Sequence, residues 1–369
     1  MAEYKEIHGT KIRNYTTNPD NPITGEVWYN ETDNVLKFQA QNATSAGSWR
    51  TGGNLNTARY YSAGAAADNT AALVSGGVTN LTNTELWDGS SWTEVNDLNT
   101  GRDLLTGSGT STSALDWGGE PPTAVTESWN GTNWTEVSDL NTARYASGGA
   151  GVSNTSALAF GGNPLTGATE SWNGSNWTEV NDLNQARAKI DNSGCGTQTS
   201  ALVAGGANPT STDLNNCETW NGTNWTEVND LNSAGYGLAV AGANNTAALA
   251  FGRDQNPGRP AATELWNGSN WTEVNDLNAA RSNIGAAGTS TAAIGFGGSN
   301  PPGTPRFTAT EDWNGISWQE TADMNTARNT AGMGTSTNAI GAGGSLPPYT
   351  GVAEEWAVPG NITKTISTD

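Results

Sequence analysis

The chain has 369 residues and a formal net charge of −20, and it is rich in glycine (47) and tryptophan (16) although only 34% of its side chains are apolar. Thirty-six acids against 16 bases repel phosphate backbones and anionic headgroups, which excludes nucleic acid and membrane surfaces as partners. Few apolar residues among much Gly, Asn and Thr exclude helices with wide apolar stripes and point to short strands and tight turns, while the indoles exclude a disordered chain.

The first residues, MAEYKEIHGT, hold no apolar signal core, and no stretch approaches the roughly 20 apolar residues that span a bilayer, so a soluble protein made in the cytoplasm is expected. Residues 1-45 read as a segment of their own. Within it GEVWYN and NVLKFQ alternate apolar and polar around Glu31-Thr32-Asp33, the pattern of a hairpin. Ile23, Val27, Trp28, Tyr29, Leu36 and Phe38 are its apolar positions and its candidate attachment surface.

Residues 46-356 repeat. The block WNGTNWTEVSDLNTAR at 129–144 recurs with a period in the forties. Its first Trp falls at Trp87, Trp129, Trp172, Trp220, Trp266, Trp313 and Trp356, each two residues after a Glu (Glu85, Glu127, Glu170, Glu218, Glu264, Glu311, Glu354). Its second Trp falls at Trp92, Trp134, Trp177, Trp225, Trp271 and Trp318, with none after Trp356; the missing one is Trp49, near the start of the chain. The repeat is circularly permuted.

Each unit also holds an apolar run closed by a glycine pair, such as ALAFGG at 157–162. Four strands follow: a Gly/Ala-rich strand after the repeat Arg, the strand before the glycine pair, the Glu-x-Trp strand and the Trp-Thr-Glu-Val strand. The last two are joined by Asn-Gly-x-Asn, a hairpin turn. Seven four-stranded units that cannot bury their faces alone close into a ring, an all-β, seven-bladed β-propeller, with the strand around Trp49 completing the last blade and removing an open edge. Residues 357-369 are left as a C-terminal tail.

The order Arg, Gly-Gly, Glu-x-aromatic, Trp resembles the kelch motif over about residues 46 to 356. It departs from it where Trp replaces the usual Tyr of the third strand, Gly235 replaces the repeat Arg and Arg253 replaces the second Gly of its pair. The stretch NPITGEVWYNETDNVLKFQ is similar to a hairpin near the start of tail fibre and other virion proteins of bacteriophages, marine ones especially. The two resemblances together imply a virion protein.

Kelch propellers include copper radical oxidases, but copper needs imidazoles and the single histidine, His8, precedes the repeats. Two scattered cysteines supply neither a zinc cluster nor a Cys-His pair. No metal and no cofactor are expected. The acids at Glu85 and its equivalents recur in every blade, as solvated or Arg-paired positions would, whereas an active site is built once. The paired Trp positions read as inter-blade packing. Trp117 and Trp28, outside the pairs, are the better functional candidates among the indoles, and Asp116 and Asp254 are the off-pattern acids. Cys195 and Cys217 fall at opposite ends of one blade, about 17 Å apart against a limit of about 7 Å for bridged Cα atoms, so free thiols are expected.

Alternating strand direction places the Asn-Gly-x-Asn turns on one uniform face. The loops between the second and third strands share the other face and differ in every blade, so that face is the candidate binding surface. Its candidate residues are Pro121, Pro122, Pro164, Asp213, Arg253, Arg259, Pro301, Pro302, Arg306, Phe307, Pro347 and Tyr349. Both ends of the ring emerge on the uniform face. The expected function is a non-enzymatic phage virion protein, a tail fibre or surface decoration. It would be oligomeric in the particle, anchored to other virion proteins through residues 1-45 and presenting its loops to a host-surface glycan or protein. A structural propeller bracing a virion joint and a soluble carbohydrate-active enzyme are the alternatives.

Overall fold

The computed structural model describes residues 12–19, 26–40, 47–191, 193–208, 212–255, 258, 260–300, 306–346, 348–358 and 362–366. These form strands and no helix. The chain divides into two units, Ser48–Ala357 and a smaller one made of Met1–Gly47 with Val358–Asp369.

In the larger unit seven four-stranded antiparallel sheets follow one another. The innermost strands are Ala63–Asp68, Thr106–Thr110, Gly148–Ser153, Gly194–Thr197, Ala239–Asn244, Gly285–Thr289 and Gly332–Gly334. Each packs beside the next and the last beside the first, so the ring closes with seven blades. These strands converge on the axis, which is why they consist of glycine and alanine: a Cβ on Gly332 would run into the backbone of Ala286. Blade seven has Trp49 of Ser48–Thr51 opposite Trp356 of Ala353–Ala357, as the permuted repeat predicts.

The two Trp sets have different jobs. The first of each blade is buried and donates its indole N–H to a carbonyl in the turn between its blade's first two strands, as Trp87 does to Asn69 (2.9 Å) and Trp129 to Ser111 (2.9 Å). The second reaches back to the preceding blade: Trp134 donates to Thr84, Trp177 to Thr126, Trp225 to Thr169, Trp318 to Thr263 and Trp49 to Thr310, at 2.9 to 3.0 Å. Where that Thr is replaced, the bond is lost. Trp271 meets Cys217 and Trp92 meets Ala353 at the same position, and the indole nitrogens of Trp92 and Trp271 are the two of this set left buried without a partner.

Every blade carries a buried Arg–Glu pair at 2.5 to 3.0 Å: Arg59–Glu85, Arg102–Glu127, Arg144–Glu170, Arg187–Glu218, Arg253–Glu264, Arg281–Glu311 and Arg328–Glu354. The carboxylate also takes backbone N–H groups of the incoming connection, as Glu85 does from Asn56 (2.6 Å) and Thr57 (3.1 Å). The two departures in blade five are therefore one exchange. Gly235 leaves the space that the Arg253 side chain fills, and Arg253 donates both to Glu264 and to the Ser233 carbonyl, the counterpart of the Arg59 bond to Thr57. Arg253, read from the sequence as a loop-face binding residue, is buried and committed to this pair.

The smaller unit is a four-stranded sheet in which Arg13–Tyr15 runs parallel to Val27–Asn30. Val27–Asn30 and Val35–Ala40 form the expected hairpin, with Tyr29 opposite Leu36 and the left-handed turn residue Asn34 (φ 56°). Ile362–Thr365, read from the sequence as part of a separate tail, is the fourth strand, with Lys37 opposite Thr365.

Candidate functional site at the mouth of the central channel

The connection from each blade to the next innermost strand starts at the repeat Arg position. Two residues beyond it the backbone turns left-handed in six of seven blades: Tyr61 (φ 58°), Leu104 (48°), Ala146 (46°), Lys189 (57°), Gly237 (58°) and Asn283 (50°). Leu104 N–H donates to the Tyr61 carbonyl (3.0 Å), Ala146 to Leu104 (2.8 Å) and Asn283 to Gly237 (3.2 Å), which links neighbouring connections into a collar. Non-glycine residues hold this conformation only where surrounding structure imposes it, and such strain gathers at functional sites. The collar does so with side chains that share no chemistry from blade to blade.

A cavity of about 220 Å³ opens inside it, lined by Tyr60, Tyr61, Leu104, Asp191, Asn283 and Asn329 among others. These come from blades one, two, four, six and seven, so the cavity lies on the ring axis. The Tyr60 and Tyr61 rings stack with centroids 3.9 Å apart, and Tyr61 is 42% exposed. Burial, and then the nearby Tyr61 and Asp191, hold the Tyr60 phenol's pKa above its usual value, with Asn329 opposing. The Asn329 side-chain carbonyl is buried with no partner among the described residues. The Lys189 ammonium lies 4.0 Å from the centre of the Tyr236 ring.

Asp191 has no counterpart in the other blades. The residue opposite the end of the second strand lies four positions after the repeat Arg in blade three, where Gly148 faces Phe160, but six positions after Arg187 in blade four, where Ser193 faces Ala204. The extra residues follow Ile190, which is buried and fixes the connection, and they carry Asp191 into the cavity wall. There its carboxyl meets water but is surrounded by protein, and this desolvation raises its pKa. Asp103 in blade two is raised too, by desolvation and then by Glu120, with which its backbone pairs.

The sequence-derived candidates sit further out. Pro121, Pro122 and Pro164 are exposed, and Asp213, Phe307 and Tyr349 are half-buried. Arg306 donates to Ser345 of the next blade at 3.2 Å. Arg259, Pro301, Pro302, Pro347, Ile23 and His8 lie outside the described residues. Val27, Tyr29, Leu36 and Phe38 are half-buried in the small sheet and Trp28 is fully buried. Trp117 is also fully buried, edge-on to Trp177 at 5.4 Å, the arrangement that Phe160 makes with Trp225. Both indoles are packing residues. Asp116 is buried against Ser75 of blade one, and Asp254 is half-buried, its backbone paired with Tyr236. The sequence reading followed the loops after the glycine pairs and passed over the collar; the two-residue insertion after Ile190 was the signal that could have found it.

No family model and no curated protein matches the chain. Among solved structures, that of YjhT is similar at 12% identity with a TM-score of 0.53, covering 85% of this chain and 99% of the other. A fungal alcohol oxidase of the AA5 family in complex with copper is similar at 13% identity with a TM-score of 0.63, covering 85% of this chain and 77% of the oxidase. At these identities the likeness bears on the fold, and it agrees with the propeller. It also corrects the expected non-enzymatic virion function: the same architecture houses a copper alcohol oxidase, so a propeller is no ground for ruling out catalysis, and neither similar protein is described as a virion component. The described residues do not fit copper. They bring no three His, Cys, Asp or Glu together, and Cys195 and Cys217 are buried free thiols with pKa values pushed up to about 12 by burial.

Proposed function

We propose that the channel mouth binds a carbohydrate. The observation that carries this reading is the contrast inside one ring: blade walls repeat seven times, whereas the collar presents a stacked tyrosine pair, amide groups and one inserted carboxyl around a cavity on the axis. An exposed aromatic face takes the apolar face of a sugar ring, and convergent polar groups fix its hydroxyls. The variable loops, Pro121, Pro122, Pro164, Asp213, Arg306, Phe307 and Tyr349 among them, extend the surface outward, and the repeat that builds the ring is a kelch-like one.

A glycan array read by direct binding tests this. Oligosaccharides are expected to bind, and Tyr61→Ala to weaken binding at least tenfold without changing the melting temperature by more than a few degrees. Absence of any glycan ligand, or a Tyr61→Ala protein that binds unchanged, overturns the proposal. Turnover of the bound sugar is a second reading, favoured by Asp191 alone, because a carboxyl with a raised pKa suits a general acid. Release of reducing ends from the bound oligosaccharide, abolished in Asp191→Asn, is its test.

A further inference from the structure

We infer that the ligand of the channel mouth is a cationic sugar, one whose free ammonium group sits against Asp191 and the Tyr60–Tyr61 pair. This rests on the carbohydrate reading above and narrows it.

The cavity is rich in acceptors, and its described lining holds no Lys or Arg. Among the described residues Asp191 supplies a carboxylate with no side-chain partner, and Asn329 a buried carbonyl oxygen without one. The electron-rich tyrosine faces add attraction for an ammonium group. Among the described residues, the cations on this side of the ring are engaged elsewhere. Lys189, two residues before it, lies over Tyr236. The seven buried arginines each hold a Glu, Arg50 holds Glu355 at 2.6 Å, and Arg306 is bound to Ser345. A neutral sugar entering this site would strip water from Asp191 and return no charge; an ammonium restores one and donates three hydrogen bonds. The net charge of −20 draws the same ligand toward the ring, and a concave mouth focuses that field.

The test holds the sugar skeleton constant and changes one substituent. Three β-1,4-linked tetrasaccharides are titrated calorimetrically into the full-length protein: the glucosamine, the N-acetylglucosamine and the glucose tetramer, at low salt and at 0.5 M NaCl. The free amine is expected to bind at least tenfold tighter than the other two at low salt. That preference should disappear in Asp191→Asn, while Tyr61→Ala weakens all three. Equal binding of the three, or an amine preference that survives Asp191→Asn, sinks the cationic ligand but leaves the carbohydrate site standing. If none binds, the site itself falls.

Discussion

The blade walls and the channel mouth are built by the same repeat under opposite rules. In the walls each departure from the repeat is answered nearby or leaves a gap that can be counted. Gly235 is answered by Arg253, while Ala353 and Cys217 leave one indole nitrogen each without its threonine. At the mouth Lys189 is answered by the Tyr236 ring, whereas Tyr61, Asp191 and Asn283 line the cavity and share no chemistry. Departures that the fold compensates record its history; uncompensated ones facing a cavity point to something outside the chain.

The largest effect that tests this contrast lies in blade five. Arg253→Gly leaves Glu264 buried without its cation and should destabilise the protein by about 3–5 kcal/mol, whereas adding Gly235→Arg should recover most of the loss. Melting temperatures of the two single variants and the double variant check the exchange, and failure of the double variant to recover would mean that the positions are not equivalent.

Asp116 gives the next effect. Burial raises its pKa to about 7, with the Ser75 hydrogen bond and Arg102 opposing. The folded pKa exceeds the unfolded one, near 3.9, so the fold favours the protonated acid. No stability is lost below about pH 4, loss grows as pH rises toward 7, and above that it is constant at roughly 4 kcal/mol. Asp116→Asn keeps a partner for Ser75 without the charge. It should raise the melting temperature at pH 8 and leave it unchanged at pH 4.

Smaller still is the missing threonine bond. Ala353→Thr offers Trp92 the acceptor that Thr84 offers Trp134, and should stabilise by about 1 kcal/mol, read as a shift in the denaturation midpoint. The smallest stability change belongs to Asp191→Asn, within about 0.5 kcal/mol. A large loss there would move Asp191 into the wall category and take away its freedom to meet a ligand.

The ring was legible in the sequence because each of its constraints is written seven times. The spacing of Trp87 and Trp92, the Glu two residues earlier and the displaced Trp49 each correspond to one contact in every blade. The mouth was hidden for the same reason. Collar residues follow the repeat Arg directly and read as the start of a strand, and nothing in Arg-Tyr-Tyr or Arg-Ala-Lys announces a left-handed turn. Trp117 and Trp28 failed as functional candidates because irregular spacing was taken for exposure. Trp117 stands where other blades have Phe160, Phe251 and Phe296, and Trp28 fills the interior of a different sheet.

The pairing of the two chain ends also has a mechanical side. Ser48 and Ala357 face each other where the chain enters and leaves the ring, so tension on them would unzip the last blade rung by rung. A pull applied at the two termini does not start there. It is taken up first by the small sheet, whose edge strands are Arg13–Tyr15 and Ile362–Thr365, and only when the rungs between Val35–Ala40 and Ile362–Thr365 have parted is the load passed to Trp49 and Trp356. The small sheet works as a fuse in series with the ring, and stretching single molecules should register it as a separate, earlier rupture.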